Sequence, residues 1–122
     1  MLVVAAWLAL VLVHTPPALA TFLPVLRQRM YGIESSGALD VMLTHRGVLF
    51  LAVAAACLLG AFVPAARVSA ALVVSISVLG FLGAYVLGGA PEQLRMIALI
   101  DTIALAPLAL VLFDVWRRLA TS

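Results

Sequence analysis

Five side chains in this sequence carry chemistry that works inside an apolar medium: His14, His45, Arg46, Tyr85 and Asp101. Each lies within or beside a hydrophobic run, where an ionisable group left alone is costly and therefore faces a partner, a cavity or water. Arg46 and Asp101 form the natural pair. A carboxylate accepts two parallel hydrogen bonds from a guanidinium fork, and each charge offsets the other in low dielectric. His45 can accept or donate beside them, and Tyr85 approaches from the same side. His14 lies deeper, next to Pro16 and Pro17, whose missing N–H groups kink a helix and free carbonyls for another partner.

Two readings of this cluster stand side by side. As a pocket, it binds the headgroup of a lipid, a quinone or a similar amphipathic molecule. As a clasp, Arg46 and Asp101 fix helix register, a carbonyl caps His45, and His14 satisfies the carbonyls that the prolines freed. The sequence contains no GxxxxGK(S/T) phosphate loop, no GxGxxG turn, no HExxH pair and no Cys/His set at zinc spacing. No catalytic residue and no metal ligand are assigned, and no cofactor is expected beyond a bound lipid or quinone. Asp114 near Arg117 and Arg118, and Glu92 near Arg95, read as interfacial pairs worth little.

The elements that must position these groups follow from composition. Of the 122 residues, 66% are hydrophobic and only 10% charged, with a mean hydropathy of +1.28, which a soluble fold does not hide. A helical crossing of a bilayer needs about 20 apolar residues, so the chain holds about four crossings in one domain, 1–122, an all-α bundle of up-down topology. The crossings are expected at about 2–26, 41–63, 68–88 and 94–116. The first resembles a signal peptide at Ala18, Leu19, Ala20, but no Lys or Arg precedes it and the apolar run continues through Leu26, so a retained helix is expected. The polar stretch from Gln28 to Asp40, with Glu34, Ser35 and Ser36, suits an interfacial loop or short surface helix.

His45 and Arg46 lie about five residues into the second crossing and Asp101 six or seven into the fourth, both entered from the same side, so at about 1.5 Å per residue they share a depth. In the third crossing Gly80, Ala84 and Gly88 recur every fourth residue, a small-residue stripe that lets helices pack closely; packing inside the bundle is expected for it. Cys57 is the only cysteine, so one chain forms no disulfide or CxxC pair, and it reads as a small buried hydrophobe. All seven basic residues are arginines, placed at segment ends without a basic run or interleaved aromatics, which argues against nucleic acid as a partner. Arg67, Arg117 and Arg118 on one side against Arg27, Arg29, Arg95 and Arg46 on the other give no orientation.

The sequence also resembles a known group. His14, Thr15, Pro16, Pro17, then Tyr31, Gly32, Ile33, then Leu43 through Phe50 with His45, Arg46 and Gly47, then Ala61 through Arg67 with Pro64, and finally Asp101 are similar to the pattern of small bacterial four-helix membrane proteins, broadly DoxX-like. The resemblance covers nearly the whole chain. It implies a compact bundle in the bacterial inner membrane, sometimes associated with quinone-linked or thiol redox partners. Proteins of this appearance are sometimes labelled phosphopantetheine adenylyltransferase, an activity that needs a soluble α/β nucleotide-binding domain with an HxGH-type site; His45, Arg46, Gly47, Val48 is not such a site, and no parallel-sheet segment exists.

The functional expectation is an accessory protein of the lipid bilayer that binds an amphipathic ligand. Its alternative is an assembly subunit with a membrane-protein partner or a second copy of itself. A third reading, a small transporter, requires a polar path from His14 to both surfaces, and residues completing it toward Arg67 and Arg117 are not evident.

Overall fold

The computed structural model describes residues 1–32 and 36–121. Ile33, Glu34 and Ser35, part of the expected polar connection and of the resemblance pattern, lie outside the described residues. The chain forms α1 (Leu2–Leu19), α2 (Pro24–Tyr31), α3 (Ala38–Phe62), α4 (Arg67–Leu87) and α5 (Arg95–Ala120), with short 3-10 turns at Pro64–Ala66 and Glu92–Leu94 leading into α4 and α5. No strand occurs among the described residues. Four of these elements, α1, α3, α4 and α5, are long and apolar enough to cross a membrane.

The first crossing is shorter than expected, ending at Leu19 instead of running to Leu26. Pro24 is the reason: it cannot donate to a continuing helix, and it holds Leu23 in extended backbone (φ −124°, ψ 92°). The same residue then serves as the first residue of α2, where a missing N–H costs nothing. Gly32 closes α2 in the left-handed region (φ 62°), donating its N–H to the Gln28 carbonyl at 2.8 Å.

The four long helices pack in a ring in the order α1, α3, α4, α5, so that α1 faces α4 and α3 faces α5 across the diagonals. Each contributes one stripe to the core. On α5 it is Ala98, Asp101, Ala104, Leu108, Val111 and Val115, at spacings of three or four residues. Trp7, Leu10, Cys57, Val74 and Val111 fill the centre with no exposure. Cys57 is thus the buried hydrophobe expected.

α1 and α3 approach most closely, at two glycines. A Cβ on Gly47 would overlap Thr21 Oγ1, and one on Gly60 would lie 2.9 Å from three atoms of the Trp7 indole. The outer faces are apolar as well: Leu12, Leu72, Ile76, Ile103 and Phe113 are each more than half exposed. A bundle apolar both inside and out matches a hydrocarbon surrounding, in which helices satisfy most of their backbone groups internally.

Candidate functional site

Proline, phase and diagonal packing determine where each polar side chain goes. His14 lies on the buried stripe of α1, 1% exposed. Its Nδ1–H donates to the Leu10 carbonyl at 2.8 Å; because that carbonyl can only accept, Nε2 is left as the acceptor, and the Ser77 hydroxyl of α4 donates to it at 3.4 Å. His14 was expected to satisfy carbonyls freed by the prolines. It does not: Pro16 and Pro17 free the carbonyls of Leu12 and Val13, four residues back, whereas His14 bonds Leu10. Its role is a cross-diagonal bond between α1 and α4 through the middle of the bundle.

Asp101 is 7% exposed, and among the described residues no donor stands within hydrogen-bonding distance of its carboxylate. It faces a cavity of about 290 Å³ between α1 and α5, shared with His14 and walled by Leu12, Pro16, Ile97 and Ile100, with Phe50 of α3 and Met30 of α2 closing it.

Arg46 faces the other way. Its guanidinium carbon lies 5.4 Å from the centre of the Phe50 ring and 5.3 Å from that of Phe81, within the range of cation–π attraction. It lines a separate cleft of about 270 Å³ between α3 and α4, with Leu49, Phe50, Val53, Ser77, Phe81 and Ala84. The expected Arg46–Asp101 fork is therefore not formed: no ion pair within 4.0 Å joins them among the described residues. The reason is the ring order, which sets α3 and α5 on a diagonal with Phe50 bordering both cavities.

His45 also departs from expectation. It is exposed on the outer face, because it precedes the buried Gly47 by two residues, and two steps of about 100° turn it to the opposite side of the helix. Tyr85 lines neither cavity; its ring stacks on Phe81 at 6.2 Å, so it buttresses the ring that flanks Arg46. Gly80, Ala84 and Gly88 are exposed as well. The small-residue stripe expected inside the bundle lies on its outer surface, since the buried stripe of α4 runs through Ala70, Ala71, Val74 and Val78 instead, and Gly88 ends the helix as its cap.

A second polar cluster, at the opposite end of the bundle, was missed by sequence reasoning. Pro64 has no N–H to offer the Gly60 carbonyl four residues earlier, and Arg67 fills the gap, its Nε donating to that carbonyl at 3.0 Å. The same guanidinium donates to Asp114 of α5 at 3.1 Å, and Arg118 donates to the same carboxylate oxygen at 2.8 Å. Asp114 was expected to pair with Arg117 and Arg118. Arg117 instead lies 6.0 Å over the Phe113 ring, and Arg67 takes its place. The signal was present in the spacing of Gly60, Pro64 and Arg67. At the α2 end, Arg27 pairs with Asp40 at 2.6 Å and donates to Thr44 at 3.1 Å, tying α2 to α3.

His14, Ser77, Asp101 and Arg46 thus occupy one half of the bundle, in two cavities of opposite polarity divided by His14 and Phe50. Beyond them the apolar side chains of Trp7, Leu10, Cys57, Val74 and Val111 fill the core without exposure, between these cavities and the end of the bundle that holds Arg67 and Asp114. Comparison of the chain with family models, with curated proteins and with solved structures finds no match, and the chemistry open to this bundle is that of its own cavities.

Proposed function

We propose that the chain is a small polytopic integral membrane protein that holds one amphipathic molecule, a lipid or a quinone, in the cavity between α1 and α5, as an accessory protein and not as an enzyme. The observation that carries this reading is Asp101: a carboxyl 7% exposed, without a hydrogen-bonding donor among the described residues, in a cavity of about 290 Å³ that is apolar apart from Asp101 and His14. A buried polar group without a partner is expensive. A ligand headgroup that hydrogen-bonds it removes that cost, while Ile97, Ile100 and Leu12 receive the apolar body. The DoxX-like resemblance agrees with this reading and with a bacterial inner membrane as its location.

The assembly reading draws on a different feature. Gly80 and Gly83 face outward on α4 with nothing within 4 Å of an added Cβ, the surface on which small residues let a second membrane helix approach.

The two are separated by native mass spectrometry of protein extracted gently from its own membrane, wild type beside Asp101→Leu. The expected result is a discrete small molecule on the wild type that the variant lacks. Wild type that arrives bare, as a defined oligomer or with a protein partner, sinks the ligand reading in favour of assembly. Stability provides an independent readout. Because leucine removes an unpartnered carboxyl from an apolar site, Asp101→Leu is expected to raise the unfolding midpoint of the ligand-free protein, by the equivalent of about 1 kcal/mol. A lowered midpoint would mean that Asp101 is a structural clasp.

A further inference from the structure

The cleft between α3 and α4 differs from the Asp101 cavity in sign, shape and opening. Its charge is positive: among the described residues, Arg46 is the ionisable one that lines it. Arg46 and the Phe81 ring beside it mark one end, and Val53 and Ser77 the other. Seven residues of helix separate Arg46 from Val53, about 10 Å, and the wall between them is apolar. Leu49, 52% exposed, and the exposed Ala84 form its rims, so the cleft opens sideways, toward the outside of the bundle.

Phe81 lies six residues from the end of α4 at Leu87, about 9 Å, and the long Arg46 side chain spans part of that depth toward the surface. The charged end of the cleft is therefore directed at the headgroup level of one leaflet and the Val53 end at its hydrocarbon. That is the axis of a lipid standing in the same leaflet. The rings of Phe50 and Phe81 hold the guanidinium plane, which costs less ordering when it engages an anion, and a planar fork of donors fits phosphate oxygens two at a time.

We propose that the α3/α4 cleft is a binding site for an anionic phospholipid, with the phosphate at Arg46 and the upper part of one acyl chain along Leu49, Phe50, Val53 and Phe81. The site is distinct from the Asp101 cavity and does not rest on a ligand being bound there.

The test is a titration of the delipidated, detergent-purified full chain with dioleoyl phosphatidylglycerol, dioleoyl phosphatidylcholine and oleate, with the first bound molecule read by native mass spectrometry. Phosphatidylglycerol is expected to bind about tenfold more tightly to wild type than to Arg46→Gln, the loss of one charge-assisted contact. Ala84→Phe, which leaves Arg46 in place and fills the rim from an exposed position, is expected to weaken it similarly, and so keeps the test valid if Arg46→Gln does not fold. In the Asp101→Leu background the same dependence on Arg46 and Ala84 is expected, which separates this site from the other cavity. Equal affinity of wild type and Arg46→Gln would overturn the site. Phosphatidylcholine or oleate binding as tightly as phosphatidylglycerol would overturn its assignment to an anionic phospholipid.

Discussion

Arg67→Met is expected to lower the stability of the bundle by about 3 kcal/mol, measured as the midpoint of thermal or detergent-induced unfolding of the purified protein. Methionine keeps much of the length and apolar stem of arginine, so the loss reports on the guanidinium. Two groups are left behind: the Gly60 carbonyl, which Pro64 cannot serve, and the Asp114 carboxylate, whose side chain is 17% exposed. Arg118 still reaches Asp114, which keeps the expected cost at the lower end of what breaking a buried pair entails.

Two second-site changes identify the cause. Asp114→Asn in the Arg67→Met background removes the stranded charge and should recover part of the loss. Pro64→Ala restores an N–H four residues after Gly60, so Arg67→Met should cost less in that background than in wild type. Strict additivity in both cycles would show that Arg67 acts through neither partner.

What the sequence disclosed, and what it withheld, follows from how local each signal is. The four crossings are legible because apolar length is read within one segment. The end of α1 was misjudged because hydropathy continues past it, while Pro24, a backbone signal, is what stops the helix. The polar residues of the candidate site were found by depth, which is a property of one helix at a time. Their grouping was not. Whether Arg46 meets Asp101 depends on which helices are diagonal, and the ring order α1, α3, α4, α5 is written in no single segment. The same diagonal logic hid Ser77, whose bond to His14 spans 63 positions in the chain. His45 and the Gly80, Ala84 stripe are different cases. Their outward phase was computable from the buried residues of their own helices, but small or polar composition alone gave no phase, because both faces of these helices are apolar and the usual amphipathic contrast is absent.

Gly60 is where the sharpest steric consequence is expected. Glycine in a helix interior costs about 0.5–1 kcal/mol relative to alanine, so Gly60→Ala would be stabilising if space allowed. Space does not allow it: the added Cβ would lie 2.9 Å from Cε2, Cζ2 and Cη2 of Trp7, and Trp7 is a rigid, fully buried ring. Overpacking of this kind costs about 1–3 kcal/mol, so Gly60→Ala is expected to be destabilising on balance, and Gly60→Val, which adds two more methyl groups against the same ring, to cost about 3 kcal/mol or more. The cause can be isolated by shortening the ring. Trp7→Phe trims the benzo edge that approaches Gly60 and removes the indole N–H, which has no hydrogen-bond partner among the described residues, so that alanine at position 60 should be tolerated much better with phenylalanine at position 7 than with tryptophan. A coupling of about 1–2 kcal/mol between the two substitutions, measured in a double-mutant cycle, is the expected sign of direct contact. Additive effects would mean that α3 yields at Gly60 and that the close approach of α1 and α3 does not depend on the missing side chain.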